Sequence, residues 1–273
     1  MYKISTPRKI LRFFLCVILM LFAVIPIYTA LIVSLTPYGN MLEPQLFPHY
    51  FEIRNYLDAF LLIIRRILNS FIYAASATLL TTVISVPAAY VLARYRFRWR
   101  VPIMFLLLLT QMMAGIVVLP TIYRMFNSMH ILNNPFSLVL VYTAMNLALV
   151  ITIMEGYFAT LPRELNEAAE IDGCSYLKLL TRVILPVSGP GIAVGAIFVF
   201  VNTYNEFVVP LFLLSDSRLY PLTLTVYSLL TDTTIRWHVM AAASIIGIIP
   251  PVIIFTVFQK YILQGIVAGA VKG

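Results

Sequence analysis

Charge is what this chain has least of. Asp, Glu, Lys and Arg make up only 11% of its 273 residues, hydrophobic residues make up 61%, and the mean hydropathy is +0.94. Soluble domains carry charge on about a quarter of their residues, so this composition identifies an integral membrane protein. Catalytic signatures are missing as well. No Gly-rich loop ends in Gly-Lys-Ser or Gly-Lys-Thr to cradle phosphates, and neither a Gly-x-Ser-x-Gly elbow nor a His-Glu-x-x-His helix is present. The histidines His49, His130 and His238 fall on separate segments, which leaves no ligand set for a metal. Of the two cysteines, Cys16 lies inside an apolar run and Cys174 in a polar loop, so there is no disulfide framework. Enzymatic readings have no residues to rest on.

What is present is a series of apolar runs, at 13–35, 67–93, 101–119, 136–158, 192–214 and 239–261. Each is long enough to cross a bilayer as a helix. The expected fold is therefore all-α, a polytopic membrane protein with six transmembrane helices forming a single domain over 1–273. The first run follows Lys3, Arg8, Lys9 and Arg12, exceeds the apolar core of a signal peptide and lacks a small-residue cleavage site, so it is expected to stay as a membrane helix. Thr36 to Arg66, with Pro37, Pro44 and Pro48, is expected to be an extramembrane connection. The second run carries Asn69, Ser70, Thr78, Thr81, Thr82 and Ser85, a polar load that fits either helix packing or a pathway. Directly after it, Arg94, Arg96, Arg98 and Arg100 alternate with Tyr95, Phe97 and Trp99. Next to an apolar span, that pattern marks the cytoplasmic membrane surface rather than nucleic acid.

The net charge of +8 matters for where the basic residues lie. With the N-terminus inside, the cytoplasmic set is Lys3, Arg8, Lys9, Arg12, Arg94, Arg96, Arg98, Arg100, Arg163, Lys178, Arg182, Lys260 and Lys272. The outer set is Arg54, Arg65, Arg66, Arg124, Arg218 and Arg236. Thirteen against six places both termini in the cytoplasm.

The most polar stretch between spans is 160–188. At helical spacing, Arg163, Glu164, Glu167 and Glu170 fall on one side and Leu165, Ala168 and Ala169 on the other. The two alanines leave that apolar face thin enough to seat in a partner's groove, and Gly173 is placed to cap the helix. Ser175 then caps a second helix carrying Tyr176, Leu180 and Val183, which Pro186 is expected to interrupt.

Glu167-Ala168-Ala169, with Asp172-Gly173 following and Leu185-Pro186 closing the stretch, resembles the EAA loop of the membrane subunits of binding-protein-dependent ABC importers. Val183 stands where that pattern usually has Ile. Tyr204-Asn205-Glu206 through Leu211, with Tyr204 where Trp is usual, and the tail from Ala268 to Gly273 look like the second permease of maltose-type carbohydrate importers. The resemblance implies the type I importer membrane-domain fold in the cytoplasmic (inner) membrane. It implies as partners a homologous permease, two ATPase subunits that bind the ATP and Mg, an extracytoplasmic solute-binding protein, a carbohydrate substrate and membrane lipid. It also implies that Glu167, Ala168, Ala169, Asp172, Gly173, Leu185 and Pro186 couple to the ATPase, and that the tail, with Gly269, Lys272 and Gly273, reaches into the ATPase dimer. Gly265, Gly269 and Gly273 make that tail too flexible for a helix to be assumed; a disordered tail is the plainer alternative.

Polar residues at membrane depth are functional candidates, because burying them in lipid is expensive. They are Gln111, Tyr142, Asn146, Asn202, Tyr204, Asn205 and Glu206. Amides, a carboxylate and hydroxyls can replace water at sugar hydroxyls, and aromatic faces suit sugar C–H surfaces. Equally, these groups can hydrogen-bond neighbouring helices and never meet substrate. Glu155 reads as an interfacial carboxylate. An importer for a polyamine or amino acid, or a channel or scaffold that needs no ATP, stands as the alternative to sugar import.

The charge asymmetry makes a direct prediction. Reporter fusions after Arg100 and Arg182 should report cytoplasm and fusions near Pro44 and Asp232 the outside; an outside signal after Arg182 would overturn the topology.

Overall fold

The computed structural model describes residues 6–41, 46–113, 115–230 and 235–270, with side chains for 12–41, 46–113, 115–169, 171–230 and 235–261. Among these residues the secondary structure is helical and no strand forms. The helices are α1 (Thr6–Leu35), α2 (Arg54–Arg94), α3 (Arg100–Met112), α4 (Gly115–Ser128), α5 (Pro135–Thr160) and α6 (Glu164–Ile171). Then α7 (Tyr176–Lys178) runs through a π-helical turn, Leu179–Ile184, into α8 (Leu185–Val187). The rest are α9 (Gly189–Asn205), α10 (Val208–Leu213), α11 (Leu222–Ser228) and α12 (Trp237–Ala270).

Four stretches are long and apolar enough to span a membrane: Arg12–Leu35, Arg54–Arg94, Pro135–Thr160 and Trp237–Tyr261. Two bent pairs, α3 with α4 and Tyr176–Val187 with α9, raise the number to six if each is one span. The expected run 101–119 is therefore not one helix. Met113 turns extended (φ −75°, ψ 124°) beside the poor helix former Gly115. Hydropathy cannot see a corner built from apolar residues. The run 192–214 also breaks, at Glu206, for reasons given below.

Within the expected connection 36–66, α2 already begins at Arg54. Asp58, Arg65 and Arg66 lower the hydropathy there without interrupting a helix that continues out of the apolar layer. Pro26, Pro87, Pro250 and Pro251 all lie inside helices. At the other end α12 continues to Ala270, so the tail is helical that far, where the sequence alone offers no ground to assume a helix. Two glycines at about 1 kcal/mol each do not outweigh the Ile, Val and Ala residues around them.

The chain divides into two compact units, described separately. The first comprises Met1–Arg65 and Thr225–Ile249. Its α1 is apolar all round, with only 6% of its apolar window buried, as suits a helix solvated by lipid. The end of α1 is tied down by polar bonds. Buried Asn55 donates to the carbonyls of Ser34 and Thr36, each at 3.0 Å, and the Glu52 N–H donates to Leu35 at 3.0 Å. These close carbonyls that the end of a helix leaves open.

The second unit comprises Arg66–Leu224 and Pro250–Gly273, and α5 is its axis. Residues on all sides of α5 are buried. Towards its C-terminal end Val150, Met154 and Phe158 share a core with Tyr90, Ala169, Leu179, Ile184 and Val199. Towards its N-terminal end Leu138, Val141 and Tyr142 pack with Tyr73, Leu119, Phe126 and Val209. Helix α9 approaches α5 through Gly191, where an added Cβ would lie 2.5 Å from Cγ of Tyr157. Such an approach between membrane helices needs a small residue.

Gly191→Ala must displace the base of an aromatic ring and should cost about 1–3 kcal/mol. Gly189→Ala, with open space around it, is the matched control. The first should lower the apparent melting temperature of the detergent-purified protein and the second should not.

Candidate functional site

The polar stretch folds as expected into helix, turn and helix, fixed by local chemistry. Gly173 adopts φ +71°, the left-handed region that costs any side chain strain. The Cys174 N–H donates to the Ala169 carbonyl at 3.0 Å and the Asp172 N–H to Ala168 at 3.0 Å. The first of these is the six-to-one bond of a Schellman ending, in which Gly173 is the left-handed residue. Cys174 packs against the core that contains Ala169, which supplies the accompanying apolar contact.

The faces of α6 differ from the expected division. Ala169 is only 5% exposed and belongs to the core of its own subunit, so it is not free to line a partner's groove. Ala168, Glu167 and Asp172 are exposed. Arg163 and Glu167 do not pair with each other among the described ion pairs, which leaves the Glu167 carboxylate open to another partner.

The second half departs from expectation at Pro186, which does not interrupt the helix. The turn Leu179–Ile184 is π-helical, with the Leu185 N–H donating to Leu180, and Pro186 follows in the first turn of α8. The widened register removes the α-helical bond that proline would have forfeited. The break comes at Ser188, where the chain bends by 81° into α9. Ser188 Oγ donates to the Ile184 carbonyl at 2.7 Å, beside the Ser188 N–H, which donates to the same carbonyl at 3.0 Å. Leu185 is half-buried and Pro186 exposed. In the proposed tail, Gly269 lies on the backbone of α12, while Lys272 and Gly273 fall outside the described residues.

The polar residues at membrane depth separate into two groups. Tyr142 and Tyr204 are buried at 2% exposure, and Tyr204 stacks on Phe200 with centroids 5.9 Å apart. Asn146 is buried and donates to the Tyr142 carbonyl at 2.8 Å. Its Oδ1 accepts from Nδ2 of Asn202 at 3.2 Å, linking α5 to α9. Asn202, Asn205 and Gln111 are exposed, and Asn202 and Asn205 share one face of α9. An apolar cleft of about 410 Å³, lined by residues including Phe71, Thr78, Thr82, Phe200 and Phe258, has too few polar groups to replace water around a sugar.

Glu206 has a structural task. Its Oε1 accepts from the N–H groups of Phe207, Val208 and Val209 at 3.1, 2.8 and 3.2 Å, capping α10 where α9 ends. Its carbonyl accepts from Thr223 Oγ1 at 2.8 Å. At the far end of α10, the Asn133 N–H donates to the Leu213 carbonyl at 2.9 Å, from a left-handed backbone at φ 56°. Asn133 Oδ1 also accepts from the N–H groups of Ser215 and Asp216. Asp216 in turn accepts from the side chain and backbone of Arg218, and those hydrogen bonds hold its carboxyl below the ordinary range.

Sequence reasoning did not find the inward-facing arginines. Arg100 Nη2 lies 3.0 Å from Glu155 Oε1, and Arg100 Nε donates to the Leu92 carbonyl at 2.7 Å. Arg94 Nη2 donates to the carbonyls of Leu161 and Pro162 at 3.0 and 3.3 Å, while Arg96 and Arg98 are exposed. The signal available was the two-residue alternation, but a helix end followed by a turn has no fixed period along which to read it.

Capping by Glu206 separates two roles experimentally. Glu206→Gln keeps an acceptor oxygen and should keep the apparent melting temperature, whereas Glu206→Ala leaves three N–H groups open and should cost about 1–2 kcal/mol. Transport lost in the Gln variant at unchanged stability would show that the charge itself is needed.

Comparison with known proteins places this architecture. The chain is 31% identical over 269 residues to the sulfoquinovosyl glycerol transport system permease protein SmoH of Agrobacterium fabrum, covering 97% of this chain and 94% of that one. It is 32% identical over 272 residues to the trehalose/maltose transport system permease protein MalG of Thermococcus litoralis, with 97% and 98% covered. A solved structure of a bacterial ABC transporter involved in the import of the acidic polysaccharide alginate superposes with a TM-score of 0.78. At 23% identity over 96% of this chain and 99% of that one, it shows that the fold is shared. The family model of binding-protein-dependent transport system inner membrane components matches residues 82–267, and with it the chain belongs to that family.

Proposed function

We propose that this chain is one of two homologous permease subunits of an ATP-driven carbohydrate importer, with both termini in the cytoplasm. Its other partners are two ATPase subunits, which bind the ATP and Mg, and an extracytoplasmic solute-binding protein. The relatives support the substrate class: SmoH is named for a sugar glycoside and MalG for disaccharides, whereas neither is named for a polyamine or an amino acid.

The observation that carries the reading is the build of α6. It is a short helix with an exposed acidic face, ended by a left-handed glycine and fixed to the subunit core through Ala169. Such an element can take a load from outside and pass it inward. The ATPase seats on Glu167, Ala168, Asp172 and Gly173, with Leu185 and Pro186 supporting the return helix. Asn202 and Asn205 are the amides open to a sugar, and Tyr142, Asn146, Tyr204 and Glu206 shape the wall behind them. The tail around Gly269, Lys272 and Gly273 extends the ATPase contact.

Magnitudes separate this reading from an ordinary solvated helix. An Arg163–Glu167 pair on a surface is worth about 0.2–0.5 kcal/mol. A carboxylate buried against a basic group of a partner costs about 3–5 kcal/mol when one member is removed. Glu167→Ala and Gly173→Asp should therefore leave the subunit in the membrane while the ATPase no longer co-purifies and uptake stops. Wild-type uptake in both variants would end the coupling assignment. The substrate class has its own test. Calorimetric titration of the solute-binding protein should show saturable binding of a sugar or oligosaccharide, and binding confined to polyamines or amino acids would overturn it.

A further inference from the structure

Two side chains one turn apart on α2 grip the corner at which α5 leads into α6. Arg94 reaches the carbonyls of Leu161 and Pro162 with one guanidinium nitrogen, at 3.0 and 3.3 Å. Tyr90, four residues earlier and so on the same face, accepts at its hydroxyl from Asn166 Nδ2 at 2.7 Å. The Tyr90 ring also packs edge-on against Phe158, in the last turns of α5, at 5.6 Å. The bonds from Arg94 to Leu161 and from Asn166 to Tyr90 are part-buried and the one to Pro162 is exposed, while Arg94 Nε and Asn166 Oδ1 are buried without a partner of their own. Leu161 and Pro162 precede α6 and Asn166 lies within it. The grip therefore holds the entry and the first turn of the helix that carries Glu167.

Neither residue belongs to the face assigned to the ATPase. The alternating arginines would all serve equally if they only marked a membrane surface, yet Arg94 turns inward while Arg96 and Arg98 stay exposed. A guanidinium suits the position because its planar donors can serve two carbonyls from one side chain, as an ammonium at the end of a flexible stem cannot do with the same geometry.

We propose that Arg94, Tyr90 and Asn166 are positioning residues that lock α6 to α2, so that the docking helix and this span move as one body. The proposal rests on the reading of α6 as the ATPase seat. Displacement delivered to Glu167 is then carried directly by α2, the helix that also lines the apolar cleft through Thr78 and Thr82. A conformational equilibrium can be biased this way only if the two elements share their two arrangements.

Spin labels test the lock in the full transporter, purified through a tag on this chain with its co-purifying subunits. Glu164→Cys on α6 and Leu79→Cys on α2 are labelled in a Cys16→Ser, Cys174→Ser background. Both positions are exposed, and neither belongs to the lock. The probe is ATP with vanadate, compared with the nucleotide-free sample. In the otherwise wild-type protein the distance distribution should be narrow and the same in both samples. Arg94→Ala and Tyr90→Phe should make it about twofold broader or shift it on trapping, and Arg94→Lys should recover part of the narrowness. Should Arg94→Ala fail to accumulate, Tyr90→Phe decides alone, since it removes one hydroxyl and keeps the ring against Phe158. A distribution unchanged in the variants that accumulate, or a wild-type distance that shifts on trapping, overturns the proposal. If Glu167→Ala still disrupts ATPase co-purification, only the lock has failed. If it does not, the reading of α6 itself has failed.

Discussion

Inside a bilayer there is no water to complete a broken helix, so every N–H and C=O released by a bend must find its partner within the protein. The architecture of this chain follows from that constraint. It bends within its apolar stretches, and its short polar side chains sit at the bends. Glu206 takes the three N–H groups that open α10, and Asn133 donates to a carbonyl at its other end. Where proline would have cost a bond, the helix has already widened to a π register. Polar residues that look like chemistry in an apolar sequence are thus first the means by which irregular backbone is tolerated at depth.

The same constraint limits what can be read as a pathway. Once Glu206 and Tyr204 are assigned to holding the fold, the exposed polar groups that remain are the amides of Asn202, Asn205 and Gln111, and each also bonds within the chain: Asn202 to Asn146, Asn205 to the Val201 carbonyl and Gln111 to Leu107 and Thr152. Amides donate and accept without charge, which suits a neutral polyol and avoids the desolvation cost of an ionised group. On the proposed reading, the buried set behind them would give these amides a rigid wall, and rigidity is what would let a small number of hydrogen bonds discriminate.

What the sequence discloses here depends on how local the cause is. Gly173 was legible because a left-handed helix ending is decided within a few residues, and φ +71° follows from them. Apolar spans were legible because hydropathy sums over many residues. The corner at Met113 and the break at Glu206 were not, since one is apolar on both sides and the other is made by a carboxylate that elsewhere marks a site. Ala169 was placed on the right side of its helix, but the periodicity of one helix does not say whether its apolar face meets its own core or another chain. Arg94 and Arg100 were hidden for the same reason. Their partners, Leu161 and Glu155, lie 67 and 55 residues away, and no local pattern encodes that distance.

On the proposed reading, with no phosphate loop in its sequence, the chain would receive the work of ATP as displacement at its surface. Displacement is useful only if the receiving helix resists being bent, and an eight-residue helix alone is too short to be stable in water. Its stiffness must be borrowed from what it is attached to. Here the attachment is threefold: Ala169 in the core, the Schellman ending at Gly173, and, at its start, the hydrogen bonds that Asn166 donates to Tyr90 and Arg94 donates to Leu161. Each lies at a different point along α6, so no single contact can act as a hinge for the others. If the proposed seat and lock hold, a load applied at Glu167, between the first and last of these points, would be taken up by the packed body of α2 and α5 before α6 rotates.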